Sequence, residues 1–280
     1  MNIAIVTGAS SGMGKDFVRE LDAYGFDEIW AIARREGALC ELAREVKTPV
    51  RVLALDLTER ESLGKIEELL EAEGPRVGYL VCAAGYGRFG SFAEVDDDES
   101  ERMIVLNCTS LVRLTYACVG YMDRGSKIIE IASVAAFQPL PYLNIYAATK
   151  AFVLSFSEAL SFELADRGIT VTALCPGWVR TEFIGNAEKT DASSVNFFPG
   201  MSESRSVVRK ALRFCDRGKR VCVCGSLSHM QHLFTRILPV SLTMRAPEYF
   251  RPRFSISAVS SSDHDGGNFA HAGRKNVNTA

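Results

Sequence analysis

The chain has 280 residues, 47% of them apolar and 24% charged, enough to bury the core of one large α/β domain. A net charge of −2 without a basic or acidic block argues against nucleic acid or an anionic membrane as the main partner. No apolar run reaches the length of a transmembrane span.

The chain opens on Asn2–Thr7, an apolar run of strand length. It feeds into Gly8-Ala9-Ser10-Ser11-Gly12-Met13-Gly14 and then a helical pattern over 12–24. Strand, glycine-rich turn and helix in that order make a dinucleotide phosphate site. The glycines let the backbone approach a pyrophosphate, and the helix start offers unpaired N–H groups. With no charged leader ahead of this strand, the expectation is a cytoplasmic protein.

A second strand over 28–33 ends at Arg34-Arg35, and a helix follows over 35–46. Guanidinium groups at that point suit a ribose 2′-phosphate, whereas an acid would suit a free 2′-hydroxyl. Glu36 comes too late to be that acid. Strands are next expected over 50–55 and 77–83, with a helix over 59–72 between them. Asp56-Leu57 follow the third strand and Ala84-Gly85 the fourth. Asp96-Asp97-Asp98-Glu99 reads as the charged start of a long helix over 98–122 that carries Asn107.

A strand over 126–132 leads to Ser133, and a helix over 145–167 begins with Tyr146-Ala-Ala-Thr-Lys150. That spacing puts phenol and amine on one helix face. A nearby ammonium favours the phenolate, so Tyr146 is expected to have a lowered pKa and to exchange protons near neutral pH. Strands over 169–175 and 219–224 bracket a helix over 203–216, and Pro176-Gly177-Trp178-Val179-Arg180-Thr181 follows the sixth strand. Seven strands alternating with six helices predict a doubly wound α/β fold. Its sheet is mostly parallel, with helices on both faces.

The eight cysteines are scattered, none as Cys-x-x-Cys, and most lie in apolar patterns where a thiol behaves as a small hydrophobe. A reducing compartment and no metal are expected. Cys222 and Cys224 alternate along a strand and face the same side.

As an ordered set these residues resemble the short-chain dehydrogenase/reductase family in its single-domain form, over roughly residues 2–225. Thr7-Gly8, Gly12 and Gly14 are similar to its cofactor loop, and Asp56-Leu57 to its adenine-contacting pair. Ala84-Gly85 are similar to the end of its Asn-Asn-Ala-Gly element, and Pro176–Thr181 to its nicotinamide-side loop. Asn107, Ser133, Tyr146 and Lys150 match its catalytic tetrad. Cys82-Ala83 stands where the family usually has two asparagines, which leaves the local hydrogen bonding open.

The resemblance implies a Rossmann-like domain over 1–250, with a cofactor half to about 125 and a catalytic half from 126. It implies hydride transfer between a nicotinamide and a carbonyl or secondary alcohol, with NADP(H) preferred over NAD(H) because of Arg34 and Arg35. Cofactor contacts are expected from Gly8, Ser10, Ser11, Gly12, Met13 and Gly14. More are expected from Asp56, Leu57, Ala84 and Gly85, and from Pro176, Gly177, Val179 and Thr181. Ser133 and Tyr146 would donate to the carbonyl oxygen and Tyr146 would supply the proton. Lys150 would lower the phenol's pKa and hold the nicotinamide ribose, and Asn107 would position a water. Gln138, Trp178 and Phe183 are candidate substrate contacts. A homodimer or homotetramer is implied, with Val153, Leu154, Phe156, Leu160 and Leu164 divided between interface and core. The alternative is a non-catalytic nucleotide-binding regulator or scaffold of the same fold, for which an intact Ser-Tyr-Lys set has no chemical reason.

Beyond residue 225, Met230, Leu233, Phe234, Ile237 and Leu238 follow a helical face that Pro239 ends. The expectation is a wall or lid over the substrate cleft. His229 and His232 are three apart with no carboxylate or cysteine beside them, so they are not read as a metal site. From Arg251 the chain turns Ser/Gly/Asn-rich and reads as a disordered tail over 251–280.

Overall fold

The structure is a computed structural model that describes residues 1–183 and 200–249, with side chains to residue 244. The tail expected over 251–280 lies outside the described residues.

The strands are β1 (Asn2–Thr7), β2 (Glu28–Ala33), β3 (Val50–Ala54), β4 (Arg76–Cys82), β5 (Lys127–Ile131), β6 (Thr170–Pro176), β7 (Val179–Arg180), β8 (Ser202–Glu203) and β9 (Val221–Cys224). Seven of them form one sheet in the order β3-β2-β1-β4-β5-β6-β9, parallel throughout. β7 and β8 pair separately, a two-residue ladder too short to carry a periodic signal in the sequence.

Alternation along the strands sorts the core onto two faces. Ile3 and Ile5 of β1 pack with Leu63, Ile66 and Leu70 of α3 (Arg60–Glu73). The same layer takes in Leu111 and Leu114 of α5 (Leu111–Val119) and Val153 of α6 (Asn144–Glu163). Ala4 and Val6 point the other way, towards Phe17, Val18 and Leu21 of α1 (Gly12–Leu21) and Leu39 and Leu42 of α2 (Glu36–Glu45). Val207, Val208, Ala211 and Leu212 of α7 (Ser204–Asp216) complete that layer.

The long helix expected over 98–122 is present over 97–119 but carries a π-helical turn. α4 (Asp97–Ile104) gives way to a π-helical turn, Val105–Ser110, before α5 begins. The Ser110 hydroxyl donates to the Val105 carbonyl at 3.0 Å, inside the widened turn. The widening turns Asn107 inward, where it is buried. The acidic run caps α4 as expected: Asp96 Oδ1 accepts from the Asp98 and Glu99 amides at 3.0 and 3.3 Å.

The departure at Cys82-Ala83 is bridged from β1. Thr7 Oγ1 accepts from the Ala84 amide at 3.0 Å and lies 3.5 Å from the Val81 carbonyl, while Cys82 Sγ sits 3.8 Å from Thr115 Oγ1. One carboxyl lies inside the core: Glu130 of β5 is 0% exposed. Thr115 and Ser157 donate to its two oxygens at 3.1 and 2.5 Å, and burial pushes its pKa up to about 7. All eight cysteines are free thiols, and the Cys222 and Cys224 sulfurs lie 3.8 Å apart on one side of β9.

Beyond β9 come α8 (Ser226–Ile237) and α9 (Val240–Tyr249). Leu238, extended at φ −88° and ψ 144°, precedes Pro239 and ends α8.

Candidate active site

The sheet order reverses at β1. The chain runs outward to β2 and β3 on one side, then returns to place β4 on the other. The loops after β1 and β4 therefore diverge and open a crevice at the carboxyl ends of the strands. A cavity of about 1570 Å³ occupies that crevice. Every cofactor-contact and substrate residue expected from the sequence lines it, together with Ser133, Tyr146 and Lys150. Asn107 lies behind its wall.

The glycine loop is a tight backbone cradle. Gly8 and Gly12 take φ values of +66° and +48°, open to glycine at little cost. A Cβ on Gly14 would stand 2.3 Å from the Gly8 carbonyl oxygen, so the loop closes on itself only without a side chain there. α1 starts at this cradle with no acidic residue in its first turn, which leaves its N–H groups and positive end for an anion. At the far side of the loop, a Cβ on Gly12 would stand 3.0 Å from Thr181 Cγ2.

Arg34 and Arg102 converge on one oxygen of Asp56, at 3.8 and 3.6 Å. Burial alone would raise the Asp56 pKa, but hydrogen bonds from Thr58 and the two guanidinium charges hold it below the usual carboxylate range. Arg35 bonds Ser10 through its Nε and Nη2, both at 3.3 Å, and pairs with Glu182 at 2.9 Å. The two arginines are thus not equivalent: Arg34 leans out beside Asp56, and Arg35 ties the glycine loop to the segment after β7.

Ser133 ends the sheet beside the crevice. Its Oγ accepts from the Ala135 amide at 3.1 Å, which leaves the hydroxyl proton for another oxygen. The Ser133 side chain lies beside the Tyr146 phenol, near enough to oppose part of its pKa rise. One helical turn on, Lys150 is 5% exposed. Its Nζ donates to the Ile131 carbonyl at 2.6 Å and stands 5.6 Å from the Tyr146 ring centroid.

The expected lowering of the phenol pKa is not found in this state. Burial pushes Tyr146 up to about 12, only partly opposed by the Ser133 hydroxyl, and burial brings Lys150 down to about 8. The reason is geometric. Lys150 spends its short hydrogen bond on the β5 backbone and sits over the phenol ring, and desolvation outweighs what its charge contributes at the phenol oxygen. The phenol is therefore a proton donor throughout the neutral range.

Asn107 is held on both sides by protein partners. Its Oδ1 accepts from the Tyr86 amide at 3.1 Å, and its Nδ2 donates to the Tyr86 carbonyl at 2.9 Å and to Thr149 Oγ1 at 3.1 Å. It clamps the loop after β4 onto α6, beside Lys150. Around the phenol, Phe183 lies 5.4 Å from the Tyr146 ring, and Trp178 packs 6.3 Å from Phe89. Gln138 follows the short helical turn Val134–Phe137 that begins at Ser133.

Sequence reading missed Gly87, Arg102 and the Ile131 carbonyl. A Cβ on Gly87 would stand 2.9 Å from Tyr146 Cδ2 and 3.2 Å from Phe183 Cζ. The density of glycine in Gly85-Tyr-Gly87 was a usable signal for close backbone approach. Arg102 had no local signal, since only the packing of α4 brings it to Asp56. A backbone carbonyl cannot be singled out from residue type at all.

Residues 2–192 match the short chain dehydrogenase family. The chain belongs to that family. It is 31% identical over 229 residues to mouse 17-beta-hydroxysteroid dehydrogenase type 3, covering 79% of this chain and 71% of that one. A short-chain dehydrogenase from Sphingobium yanoikuyae in complex with NADPH superposes with a TM-score of 0.71 at 28% identity, over 94% of this chain and 99% of that one. The bulky-bulky ketone specific alcohol dehydrogenase from Comamonas testosteroni gives 0.67 at 27% identity, over 85% and 95% of the two chains. This short-chain dehydrogenase is accordingly an oxidoreductase with a Rossmann-like nucleotide-binding fold. The glycine cradle, which a single Cβ would fill, and the cations around Asp56 fit a nicotinamide dinucleotide in the crevice.

Proposed function

We propose that the protein is an NADP(H)-dependent oxidoreductase interconverting a small-molecule carbonyl compound and its secondary alcohol. Ser133, Tyr146 and Lys150 are its catalytic residues, and Asn107 is a positioning residue. The observation that carries this reading is the convergence of Ser133, Tyr146 and a buried Lys150 on the same crevice as the glycine cradle.

When bound, the reduced nicotinamide supplies the hydride. Ser133 and Tyr146 present two O–H groups to the substrate's carbonyl oxygen, in place before charge develops there. Tyr146, protonated at neutral pH, gives its proton to that oxygen. Lys150 keeps a positive charge beside the phenolate so formed and reaches the cofactor side of the crevice. Gly8, Ser10, Ser11, Gly12, Met13 and Gly14 hold the pyrophosphate, Asp56 and Leu57 the adenine, and Pro176, Gly177, Val179 and Thr181 the nicotinamide side. Ala84 and Gly85 floor the ribose. Gln138, Trp178 and Phe183 touch substrate.

The preference for NADP(H) rests on Arg34 and Arg35 at the end of β2, with Arg102 as a further cation across Asp56. The chain acts as one domain over 1–250 and works as a homodimer or homotetramer. Val153 and Leu164 of the expected interface set are core. Exposed apolar groups stand on α6, Phe152 and Phe162, and on α4 and α5, Ile104 and Tyr116, with Tyr116 84% exposed. Eight free thiols suit a reducing cytoplasm.

The test is Tyr146→Phe. NADPH oxidation with a panel of ketones, aldehydes and quinones should be lost while NADPH binding is retained. Unchanged turnover would refute the assignment.

A further inference from the structure

We infer that the substrate is a large, uncharged, apolar carbonyl compound whose body lies along the inner faces of α8 and α9. This rests on the hydride-transfer reading above and deepens it. The cavity of about 1570 Å³ exceeds the roughly 300–1,000 Å³ usual for a small-molecule site, so the nucleotide does not exhaust it. One end is the glycine cradle with Arg34 and Asp56. The other, beyond Tyr146, is walled by Leu227, Met230, Phe234, Leu238 and Leu242.

These side chains face the cavity yet remain wet. Met230 is 49% exposed and Phe234 48%. A contiguous apolar wall of that kind is normally covered. Because it lines the same cavity as Ser133 and Tyr146, an apolar substrate body is the occupant that covers it when the carbonyl reaches the phenol.

The wall is held in register with the catalytic residues. His232 of α8 stacks on Phe137, in the turn that begins at Ser133, with ring centroids 4.0 Å apart and planes 11° from parallel. Ser228 of α8 seats beside Gly177 at the strand end, where an added Cβ would stand 2.6 Å from its Oγ.

Charge excludes the competing substrate classes. Arg34 and Arg102 face Asp56, Arg35 pairs with Glu182, Arg88 with Glu99, and Lys150 bonds the Ile131 carbonyl. Among the described residues every charged side chain lining the cavity thus has a partner, and the arginines beside Asp56 lie at the nucleotide end. Among the described residues, no cation on the substrate side is left over for a carboxylate, sulfonate or phosphate. The polar lining groups on α8 and α9 are Gln231, Thr235 and Thr243. A sugar would bury hydroxyls against leucine and methionine without partners. A short aldehyde would leave the wall in water.

The test is NADPH oxidation with unbranched methyl ketones of four to twelve carbons, and with the long members carrying a terminal carboxylate. The expected result is a kcat/KM that rises about three- to fourfold for each methylene reaching the wall, and at least about a tenfold drop for the carboxylates. Met230→Asp combined with Phe234→Asp should flatten that rise. Ile237→Asp, at a position 69% exposed and outside the cavity lining, should leave it intact. A flat series, or preference for the carboxylates, overturns the proposal. If no ketone is turned over, displacement of the neutral dye Nile red from the NADPH-saturated protein by the twelve-carbon ketone decides. Displacement that the wall variants abolish upholds the apolar site and sinks only hydride transfer to ketones. No displacement sinks the apolar site.

Discussion

Lys150 Nζ donates to the backbone carbonyl of Ile131 at 2.6 Å, so α6 is tied to the end of β5 at the residue pair just before Ser133. The ammonium is held in place at the cost of desolvation, which brings its pKa from 10.5 down to about 8. The buried charge is thus a stability burden.

The sign follows from proton counting. Between pH 8 and 10.5 the unfolded chain holds the Lys150 proton and the native state does not, so stability rises with pH across that window. Lys150→Met should therefore be more stable than the parent at pH 7, by about 1–3 kcal/mol after loss of the bond to Ile131. The gap should close by pH 10.5, and turnover should be lost at every pH. Denaturant unfolding at the two pH values checks this. A variant less stable than the parent at neutral pH would contradict it.

Glu130 titrates the opposite way. Its folded pKa of about 7 lies above the ordinary 4.5, so the stability of its neutral form is present below pH 4.5 and lost as pH rises through 7. Glu130→Gln removes that loss. The amide can donate to Ser157 Oγ, whose proton then turns from residue 130 to the Val153 carbonyl at 2.6 Å, and its oxygen can keep the Thr115 bond. The variant should match the parent near pH 4.5 and exceed it by about 2–3 kcal/mol at pH 8. Thermal melts across that range measure the difference, and a pH-independent difference would speak against a titrating Glu130.

Gly87→Ala probes the catalytic ring directly. The added Cβ would meet Tyr146 Cδ2 at 2.9 Å and Phe183 Cζ at 3.2 Å, so the phenol has to shift. Misplacing a catalytic group by a fraction of an ångström to an ångström costs up to about a hundredfold. The expected result is a ten- to hundredfold lower kcat with NADPH affinity unchanged, read by steady-state kinetics beside fluorescence titration.

Cofactor choice is tested by Arg34→Ala together with Arg35→Ala. Losing charge-assisted bonds to a 2′-phosphate should weaken NADPH by about ten- to a hundredfold and leave NADH nearly unaffected. An unchanged affinity ratio would remove the phosphate assignment from β2.

Much of this was legible beforehand because period and order are local properties. Short continuous apolar runs located the seven strands of the sheet to within two residues, since the central ones bury both faces. The glycine loop was readable because its spacing answers to backbone sterics, as Gly14 against Gly8 makes plain. The π-helical turn at Val105–Ser110 was not readable, because its apolar pattern continues on either side and only the hydroxyl of Ser110 inside the turn betrays it. The roles of Trp178 and Phe183 were undecidable for a related reason: an aromatic residue packs the same way in a core or on a pocket wall until its neighbours are known.

The sequence by itself determined the family and the doubly wound topology, and it singled out Ser133, Tyr146 and Lys150 as candidates, because those depend on which residue types recur at which separations. Only the tertiary structure decided the proton balance within that set, the tethering of Asn107 and Arg35, and the apolar wall opposite the phenol. Each of those depends on distances between segments far apart in the chain and on how much water they exclude. Desolvation has no counterpart in the order of residues along the chain.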